Sequence, residues 1–411
     1  MVRFLHTADL QLIGAVPGDP PAVRARREAR LGTVQAIVDL AQTEQVDFLL
    51  VCGDLFEDNL VGDLLVNQVI RILQDLRLPV YLLPGNHDPL TANSVYNHQA
   101  LQRVPTNVHV LRTTEPVPAT ANCTLYPCPV TDRTSMADPT ADIPPRARPE
   151  EIRVGVAHGS LRIESKFQDH DHPIALDTTQ AHGLDYLAMG HWHDMLLMES
   201  SRMAYPGAPE PTSFSEGNSG NVLLVEIAQA GMPPTITPRH VGRLRWIART
   251  EVVTEPVAGR LERLRTDLEA LPSRADTLLR LTLTGAVNAE SFPHIEEFAA
   301  WLEAAGFLQQ EVRNQVRCVE ELHGALQSLA DRDEVIAGTA ADLMRLATLD
   351  APGGGQPTTL EACPVDELIK VWQALEERLR KSCQGACLPT RADVAQEGLK
   401  LLATLAKEVQ T

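Results

Sequence analysis

The chain lacks any run of 18 or more apolar residues, so no transmembrane helix is expected. Residues 1–6 hold one basic residue and turn polar at once, without the long apolar stretch of a signal peptide. Seven cysteines, an odd number spread over 411 residues, do not form a disulfide framework. These absences predict a cytoplasmic protein without a membrane partner.

Positive charge is also scarce. The chain has 36 lysines and arginines against 54 acidic residues, which gives a formal net charge of −18 at pH 7. Residues 1–240 and residues 241–411 are both acidic, so neither half has the positive field that usually attracts a phosphate backbone. If the chain acts on DNA, its affinity must come from a local patch, from bound metal ions or from a partner subunit.

The length predicts two or three domains, and 44% hydrophobic residues with 22% charged residues are typical of a globular protein. The first 90 residues alternate short apolar runs with amphipathic stretches, which predicts a β-α-β-α-β order and an α/β sheet with helices packed on it. The predicted strands of the first half lie at 4–6, 48–52, 80–83, 123–126, 152–157, 186–189 and 221–227. Residues 247–308 suggest a strand-helix-strand-helix unit, and residues 319–411 are helical in pattern.

Five short segments rich in metal-ligand side chains follow predicted strands, where each loop begins. They are Asp9-Leu10-Gln11, Gly53-Asp54-Leu55-Phe56-Glu57, Gly85-Asn86-His87-Asp88, His158-Gly159 and Gly190-His191-Trp192-His193. Ligands of open α/β sheets bind at the carboxyl ends of the strands. A bridging carboxylate with imidazole and amide ligands holds two divalent cations, and such a pair clamps a phosphoryl group for in-line attack. The set therefore indicates a phosphoesterase.

In order and spacing these motifs resemble the calcineurin-like metallophosphoesterases, and among them the SbcD-type (YhaO-like) DNA-repair nuclease subunits. The resemblance begins at His6-Thr7-Ala8-Asp9, ends at Tyr205-Pro206-Gly207-Ala208-Pro209-Glu210 and covers roughly residues 1–230. It implies a metallophosphoesterase β-sandwich flanked by helices at 1–238, a small α+β capping domain at 239–315 and a helical C-terminal region at 316–411. The last region would dock on an SbcC-like, SMC-type ATPase, and a homodimer is also implied.

The resemblance further implies a role for each motif residue, with Mn²⁺ as the expected ion at two metal positions. The residues implied for the first position are Asp9, Gln11, Asp54 and His193. Those implied for the second are Asp54 as the bridge, Asn86, His158 and His191. His87 would be the unligated acid that protonates the leaving oxygen. Asp88 and either Glu57 or Asp58 would orient these groups.

One residue departs from the family pattern, because the first motif is usually Asp-x-His and here ends in Gln11. The amide oxygen of glutamine is neutral like imidazole but is a poorer donor for borderline metals, so we expect a weakened or altered first site. The leading hypothesis is a DNA exonuclease or endonuclease subunit. The alternatives are a phosphodiesterase for small substrates such as nucleotides, since the fold does not fix the substrate, and a scaffold subunit with a residual metal site.

Four other clusters have plainer interpretations. A basic cluster on the first helix is either a solvated face or a contact for the DNA backbone, and both interpretations remain open; it consists of Arg24, Arg26, Arg27 and Arg30. His170 and His172 are predicted to lie in a solvated loop. Cys383 and Cys387 are expected to be ordinary thiols, since no second pair completes a zinc site. The apolar stripe of a C-terminal helix, predicted to be core or a docking face, consists of Leu368, Trp372, Leu375 and Leu379.

Overall fold

The computed structural model describes residues 1–102, 107–163, 170–198, 200 and 202–318. The chain divides into two compact units, Met1–Ile247 with Ala275–Leu278, and Ala248–Arg274 with the described residues from Leu279 onward. The predictions for Cys383, Cys387 and the C-terminal apolar stripe lie outside the described residues. Among the helices that are described, none has the length and apolarity to span a membrane.

The first unit follows the alternation predicted from the sequence, and three predicted strands have the observed bounds: Phe48–Cys52, Val80–Leu83 and Asn221–Ile227. The elements up to residue 110 are β1 (Val2–Thr7), α1 (Pro21–Thr43), β2 (Phe48–Cys52), α2 (Asp63–Gln74), β3 (Val80–Leu83), α3 (Gln99–Gln102) and β4 (Val108–Val110). Those that follow are β5 (Val117–Thr120), β6 (Cys123–Cys128), β7 (Ile152–His158), α4 (Thr178–His182), β8 (Tyr186–Gly190), β9 (Leu196–Met198), β10 (Met203–Tyr205), β11 (Asn221–Ile227) and β12 (Thr235–His240).

These strands form two six-stranded sheets. The first has the order β12-β11-β1-β2-β3-β4, and the second has the order β5-β6-β7-β8-β10-β9. Strands β1 to β4 run parallel, as do β6, β7 and β8, while β11 pairs with β1 in the antiparallel sense. The carboxyl ends of β1, β2 and β3 therefore lie along one edge of the first sheet, and those of β7 and β8 along one edge of the second.

The alternation of side chains along β2 shows how the sandwich is built. Phe48, Leu50 and Cys52 pack in a core with buried residues of the second sheet, whereas Leu49 and Val51 face helices α1 and α2. Because successive strand side chains point to opposite faces, a strand covered on both faces is apolar throughout. This confirms the predicted α/β sandwich flanked by helices.

The elements after residue 244 are β13 (Arg245–Val252), α5 (Val257–Glu269), β14 (Thr277–Thr284), β15 (Ala286–Val287), α6 (Phe292–Glu303), β16 (Gln309–Asn314) and β17 (Arg317–Cys318). Strands β13, β14 and β16 form one sheet in that order, and β15 pairs with β17. This is the strand-helix-strand-helix order predicted for residues 247–308. Helix α5 buries Leu261, Leu264 and Leu268, spaced three and four residues apart on one helical face.

Candidate metal centre

The loops that leave the carboxyl ends of the strands hold four non-glycine residues in the left-handed region. They are Asp9 (φ 55°), Gln11 (φ 44°), Asp54 (φ 52°) and His191 (φ 108°). Each such residue costs about 1–3 kcal/mol, and strain of this kind clusters at functional sites. The first two loops are tied together, because the amide of Asp9 donates to the carbonyl of Gly53 (3.1 Å) and that of Gln11 to the carbonyl of Asp54 (2.9 Å).

Two glycines allow the two sheets to approach closely at this point. A Cβ atom on Gly53, whose φ is +91°, would lie 2.0 Å from Nδ1 of His158. A Cβ atom on Gly190 would lie 2.0 Å from the carbonyl oxygen of Cys52. Strands β2 and β8 belong to different sheets, so both glycines are needed to bring their ligand loops together.

Four atoms with lone pairs converge beside the end of β7. Nε2 of His158 lies 2.7 Å from Oδ1 of Asn86 and 3.3 Å from Oδ2 of Asp54, and Nδ1 of His191 lies 3.0 Å from the same Asn86 oxygen. The Nδ1–H of a neutral His158 donates to the carbonyl of Cys52 at 2.9 Å, which leaves a lone pair on Nε2. Two lone pairs that face each other need a cation or a proton between them. These four atoms therefore fit a divalent metal ion.

Beside these atoms lie the side chains that the resemblance implies for the first metal position. Oxygens of Asp9 and Asp54 and a ring nitrogen of His158 all lie within 4.8 Å of one another, and these three residues are buried. Both carboxylate oxygens of Asp9 accept from the backbone amide of His191, at 3.0 Å each. Nε2 of His193 is 3.0 Å from the side-chain nitrogen of Gln11. The structure thus brings together all seven side chains that the resemblance implies as ligands.

Electrostatics at this centre favour bound positive charge. Burial raises the pKa of Asp9, and His158 and His193 only partly oppose it. Burial alone would also raise the pKa of Asp54, but His158 and His87 outweigh it and lower the pKa to about 2. Burial lowers the pKa of His158, yet the Asp54 carboxylate outweighs this effect and raises it to about 9. Two buried carboxylates thus draw a proton onto a buried imidazole, and a metal ion would supply the same charge.

His87 lies beside these ligands without joining them. Its backbone amide donates to Oδ1 of Asp54 at 2.9 Å, and its ring Nδ1 lies 3.0 Å from the carbonyl oxygen of Glu57. Nδ1–H donates to that carbonyl, so Nε2 is the ring atom left to exchange a proton with a substrate. The His87 side chain remains 25% exposed, so a substrate can reach it.

The three acids predicted to orient the site differ in what they contact. Asp88 accepts from the backbone amides of Gly85 (2.7 Å) and Phe56 (3.0 Å), so it fixes the turn that carries Asn86 and His87. Glu57 contributes the backbone carbonyl that holds His87. Asp58 accepts from the amide of Leu60 in its own turn, at 2.6 Å.

The predicted basic cluster is engaged within the protein and not uniformly solvated. Arg24 donates to the carbonyl of Asp19, and Arg27 forms an ion pair with the same residue at 2.6 Å. Arg26 lies over the ring of Trp246, 5.9 Å from its centroid. Arg30 donates to the carbonyl of Gln11 at 2.6 Å and therefore supports the first ligand loop. A role in DNA contact stays a prediction for all four arginines.

Two carboxylates that the motifs did not single out contact the paired histidines. Oδ2 of Asp171 is 2.8 Å from Nε2 of His191, and Oε1 of Glu216 is 3.0 Å from Nδ1 of His193. Burial raises the pKa of each acid, but the adjacent imidazole outweighs it and lowers both values to about 2. Asp171 lies in the run Asp169-His170-Asp171-His172, whose composition could have indicated a place in the site. No comparable pattern surrounds Glu216.

The prediction of a solvated loop was therefore wrong for His172. The side chain of His170 is exposed, but that of His172 is only 4% exposed. The amide of His172 donates to the carbonyl of Ser135 at 3.0 Å, and the carbonyl of Asp171 accepts from the amide of Ser160 at 3.1 Å. These backbone bonds hold residues 171–172 against the turn that follows His158, a packing that the polar composition of the segment concealed.

Comparisons with known proteins agree with this geometry. The family model of the calcineurin-like phosphoesterases matches residues 2–195. An uncharacterized metallophosphoesterase, YhaO of Bacillus subtilis, is 28% identical over 55% of this chain and 57% of its own length. The SbcD component of the nuclease SbcCD from Rhodobacter capsulatus is 28% identical over 66% of this chain and 77% of its own. The DNA double-strand break repair protein Mre11 of Methanopyrus kandleri is 25% identical over 52% of this chain and 50% of its own.

The matched region contains both halves of the sandwich edge that carries the ligands. The chain spans little more than half the length of the Bacillus relative and half that of the Methanopyrus relative. The match to the family model includes every ligand-type residue from Asp9 to His193. This match, with the two-sheet fold and the buried cluster of Asp9, Asp54 and His158, identifies residues 2–195 as a calcineurin-like metallophosphoesterase domain.

Proposed function

We propose that this protein is a metal-dependent phosphodiesterase that acts on DNA, as an exonuclease or endonuclease subunit with two divalent ions, of which Mn²⁺ is the expected species. The observation that carries the proposal is the convergence of lone pairs from Asp54, Asn86, His158 and His191 at 2.7–3.3 Å. Metal ions bound there would polarise a phosphodiester and neutralise the charge that develops on it.

The side chains of the centre divide the remaining work. Asp9 with Gln11 and His193 would hold one ion, Asn86 with His158 and His191 would hold the other, and Asp54 would lie between them. His87 would deliver the proton to the leaving oxygen from Nε2, because its Nδ1–H is engaged by the carbonyl of Glu57. A histidine in this position lets the departing group leave as an alcohol.

DNA as the substrate and an ATPase as the partner are supported by the relatives. Two of them are named as a component of the nuclease SbcCD and as a DNA double-strand break repair protein. The net charge of −18 means that the isolated chain lacks a strong field for DNA. An SbcC-like ATPase subunit would supply the missing affinity, and a homodimer would place two centres on one duplex. We also propose the domain limits 1–238, 239–315 and 316–411 for this assembly.

Two observations favour the alternatives. The acidic surface suits a small phosphodiester, such as a nucleotide derivative, better than a polyanion. The contact between Gln11 and His193 suits a scaffold subunit with one weak metal position. The two alternatives predict different results in the same cleavage assay.

The deciding experiment measures cleavage of end-labelled duplex and single-stranded DNA by the purified chain, with Mn²⁺ and after chelation. His87→Ala is the test variant, and His240→Ala, on an exposed residue of β12, is its matched control. Metal-dependent cleavage that is lost only in His87→Ala supports the nuclease. Turnover of a chromogenic diester without DNA cleavage, at DNA concentrations and low salt that offset weak binding, supports the small-substrate enzyme. No turnover of either by a folded protein contradicts the proposal and favours the scaffold.

A further inference from the structure

Each histidine of the candidate centre has one ring nitrogen facing the ligand cluster and the other held from outside. For His158 the outer partner is neutral, the carbonyl oxygen of Cys52 at 2.9 Å. For His191 and His193 the outer partners are the carboxylates of Asp171 (2.8 Å) and Glu216 (3.0 Å). The two histidines of the Gly190-His191-Trp192-His193 motif thus each contact a carboxylate with the outer ring nitrogen, whereas His158 contacts a neutral carbonyl.

The carboxylate decides which nitrogen of His191 carries the proton. A neutral imidazole has one N–H, and the hydrogen bond from Nε2 to Asp171 is charge-assisted and therefore strong. It leaves the lone pair on Nδ1, which faces Oδ1 of Asn86 at 3.0 Å. The other tautomer would lose this bond and point its N–H at the metal position. Asp171 is itself fixed, because the hydroxyl of Ser160 donates to it at 2.6 Å.

The same logic applies to His193 with the nitrogens exchanged. Nδ1 of His193 lies 3.0 Å from Oε1 of Glu216 and 3.0 Å from the hydroxyl oxygen of Thr212. Because that hydroxyl itself donates to Oε1 of Glu216, Nδ1 is the donor in this group, and the lone pair lies on Nε2, beside Gln11. Glu216 is held by Thr212, whose backbone amide donates to Oε2 at 2.7 Å. The side chain of Glu216 is 9% exposed, so water competes little for this contact.

We propose that Asp171 and Glu216 are positioning residues that select the metal-binding tautomers of His191 and His193, one for each of two metal positions. The inference rests on the proposed function, because it needs both positions to bind an ion. The two acids come from segments on opposite sides of the motif in sequence and share no contact with each other among the hydrogen bonds and ion pairs of the described residues. Each therefore acts on one position only.

The test measures Mn²⁺ binding to the metal-free full chain by titration calorimetry. We expect two binding events in the parent protein. Asp171→Ala should weaken one of them by about 10–100-fold, the usual effect of removing an outer partner of a metal-bound histidine, and Glu216→Ala should weaken the other. Asp177→Ala removes an exposed acid from the segment that follows Asp171 and should change neither.

A double-mutant comparison separates positioning from a general loss of structure. On a His191→Ala background, Asp171→Ala should have no further effect on the remaining site, since its only route of action has been removed. The visible spectrum of the Co²⁺-loaded protein supplies a second readout, which should change in Asp171→Ala and recover toward the parent in Asp171→Glu. If Asp171→Ala does not fold, Asp171→Asn keeps the side-chain shape and is measured instead.

Three outcomes would count against the inference. Binding by Asp171→Ala or Glu216→Ala that equals that of Asp177→Ala would overturn the positioning role and leave the proposed function intact. Both sites weakened equally by either single change would show that the two acids are not independent. A parent chain that binds no Mn²⁺ would remove the proposed function itself.

Discussion

Replacement of Gln11 by histidine should strengthen the first metal position. With the Nδ1–H of His193 engaged by Glu216, Nε2 of His193 is an acceptor, and the side-chain amide of Gln11 donates to it at 3.0 Å. The lone pair that a metal ion needs is therefore occupied by a hydrogen bond. Breaking one such bond costs about 0.5–1.5 kcal/mol, or about 2–10-fold in affinity.

Histidine at position 11 removes this competition and adds a nitrogen ligand. Gln11 has a φ of 44°, and histidine is among the residues that tolerate the left-handed region, so the backbone should not change. We expect Mn²⁺ to bind the first position about 5-fold more tightly, with a larger gain for Zn²⁺, since imidazole suits borderline metals.

Calorimetric titration of the metal-free protein measures the change. Gln229→His, on an exposed residue between β11 and β12, is the control for a histidine that merely adds a surface ligand. An unchanged or weaker first site in Gln11→His would refute the reasoning, because it would mean that the Gln11 amide turns its oxygen to the metal at no cost.

Three further predictions concern stability and the metal centre. Burial lowers the pKa of His6 to about 3, so the stability that neutral His6 contributes is present above pH 6.5 and is lost as the pH falls towards 3. The free energy of unfolding in urea should therefore drop between pH 7 and pH 4.5 by about 2.7 kcal/mol less in His6→Gln than in the control His240→Gln. Gly53→Ala places a Cβ atom 2.0 Å from Nδ1 of His158, so it should abolish Mn²⁺ binding at the second position. Tight Mn²⁺ binding by a normally folded Gly53→Ala protein would contradict this close approach. Mn²⁺ at 100 times its dissociation constant should stabilise the fold by about 2.7 kcal/mol, and a chelator should reverse the shift in unfolding temperature; no shift would argue against a buried site.

The sequence predicted the strands that carry the ligands well, for a clear physical reason. Strands covered on both faces are continuous apolar runs, so β2 and β3, which lead to Asp54 and Asn86, have the predicted bounds. The short strands β5, β9 and β10 have three or four residues each and were missed, and even the apolar run of β9 is only partly buried. Their pairing depends on neighbours that a local pattern does not contain.

The candidate site was predicted only as far as its motifs extend. Side chains that follow a strand are visible in a pattern, so Asn86 and His158 were singled out. Asp171 and Glu216 contact histidines 20 and 23 residues away in the chain, and spacing along the sequence does not reveal which histidine either acid meets. Arg30 likewise turns toward a backbone carbonyl, a partner that leaves no trace in the sequence.

The division of the ligands between two sheets has a consequence for biosynthesis. Strand β1, which leads to Asp9, is bordered on one side by β2 and on the other by β11, whose last residue is Ile227. A chain that is still being translated has an open strand edge at β1 until β11 has left the ribosome. Because its ligand-type residues extend from Asp9 to His193 and come from both sheets, the candidate metal centre can form only after most of the sandwich has been synthesised, and prematurely terminated chains would lack it.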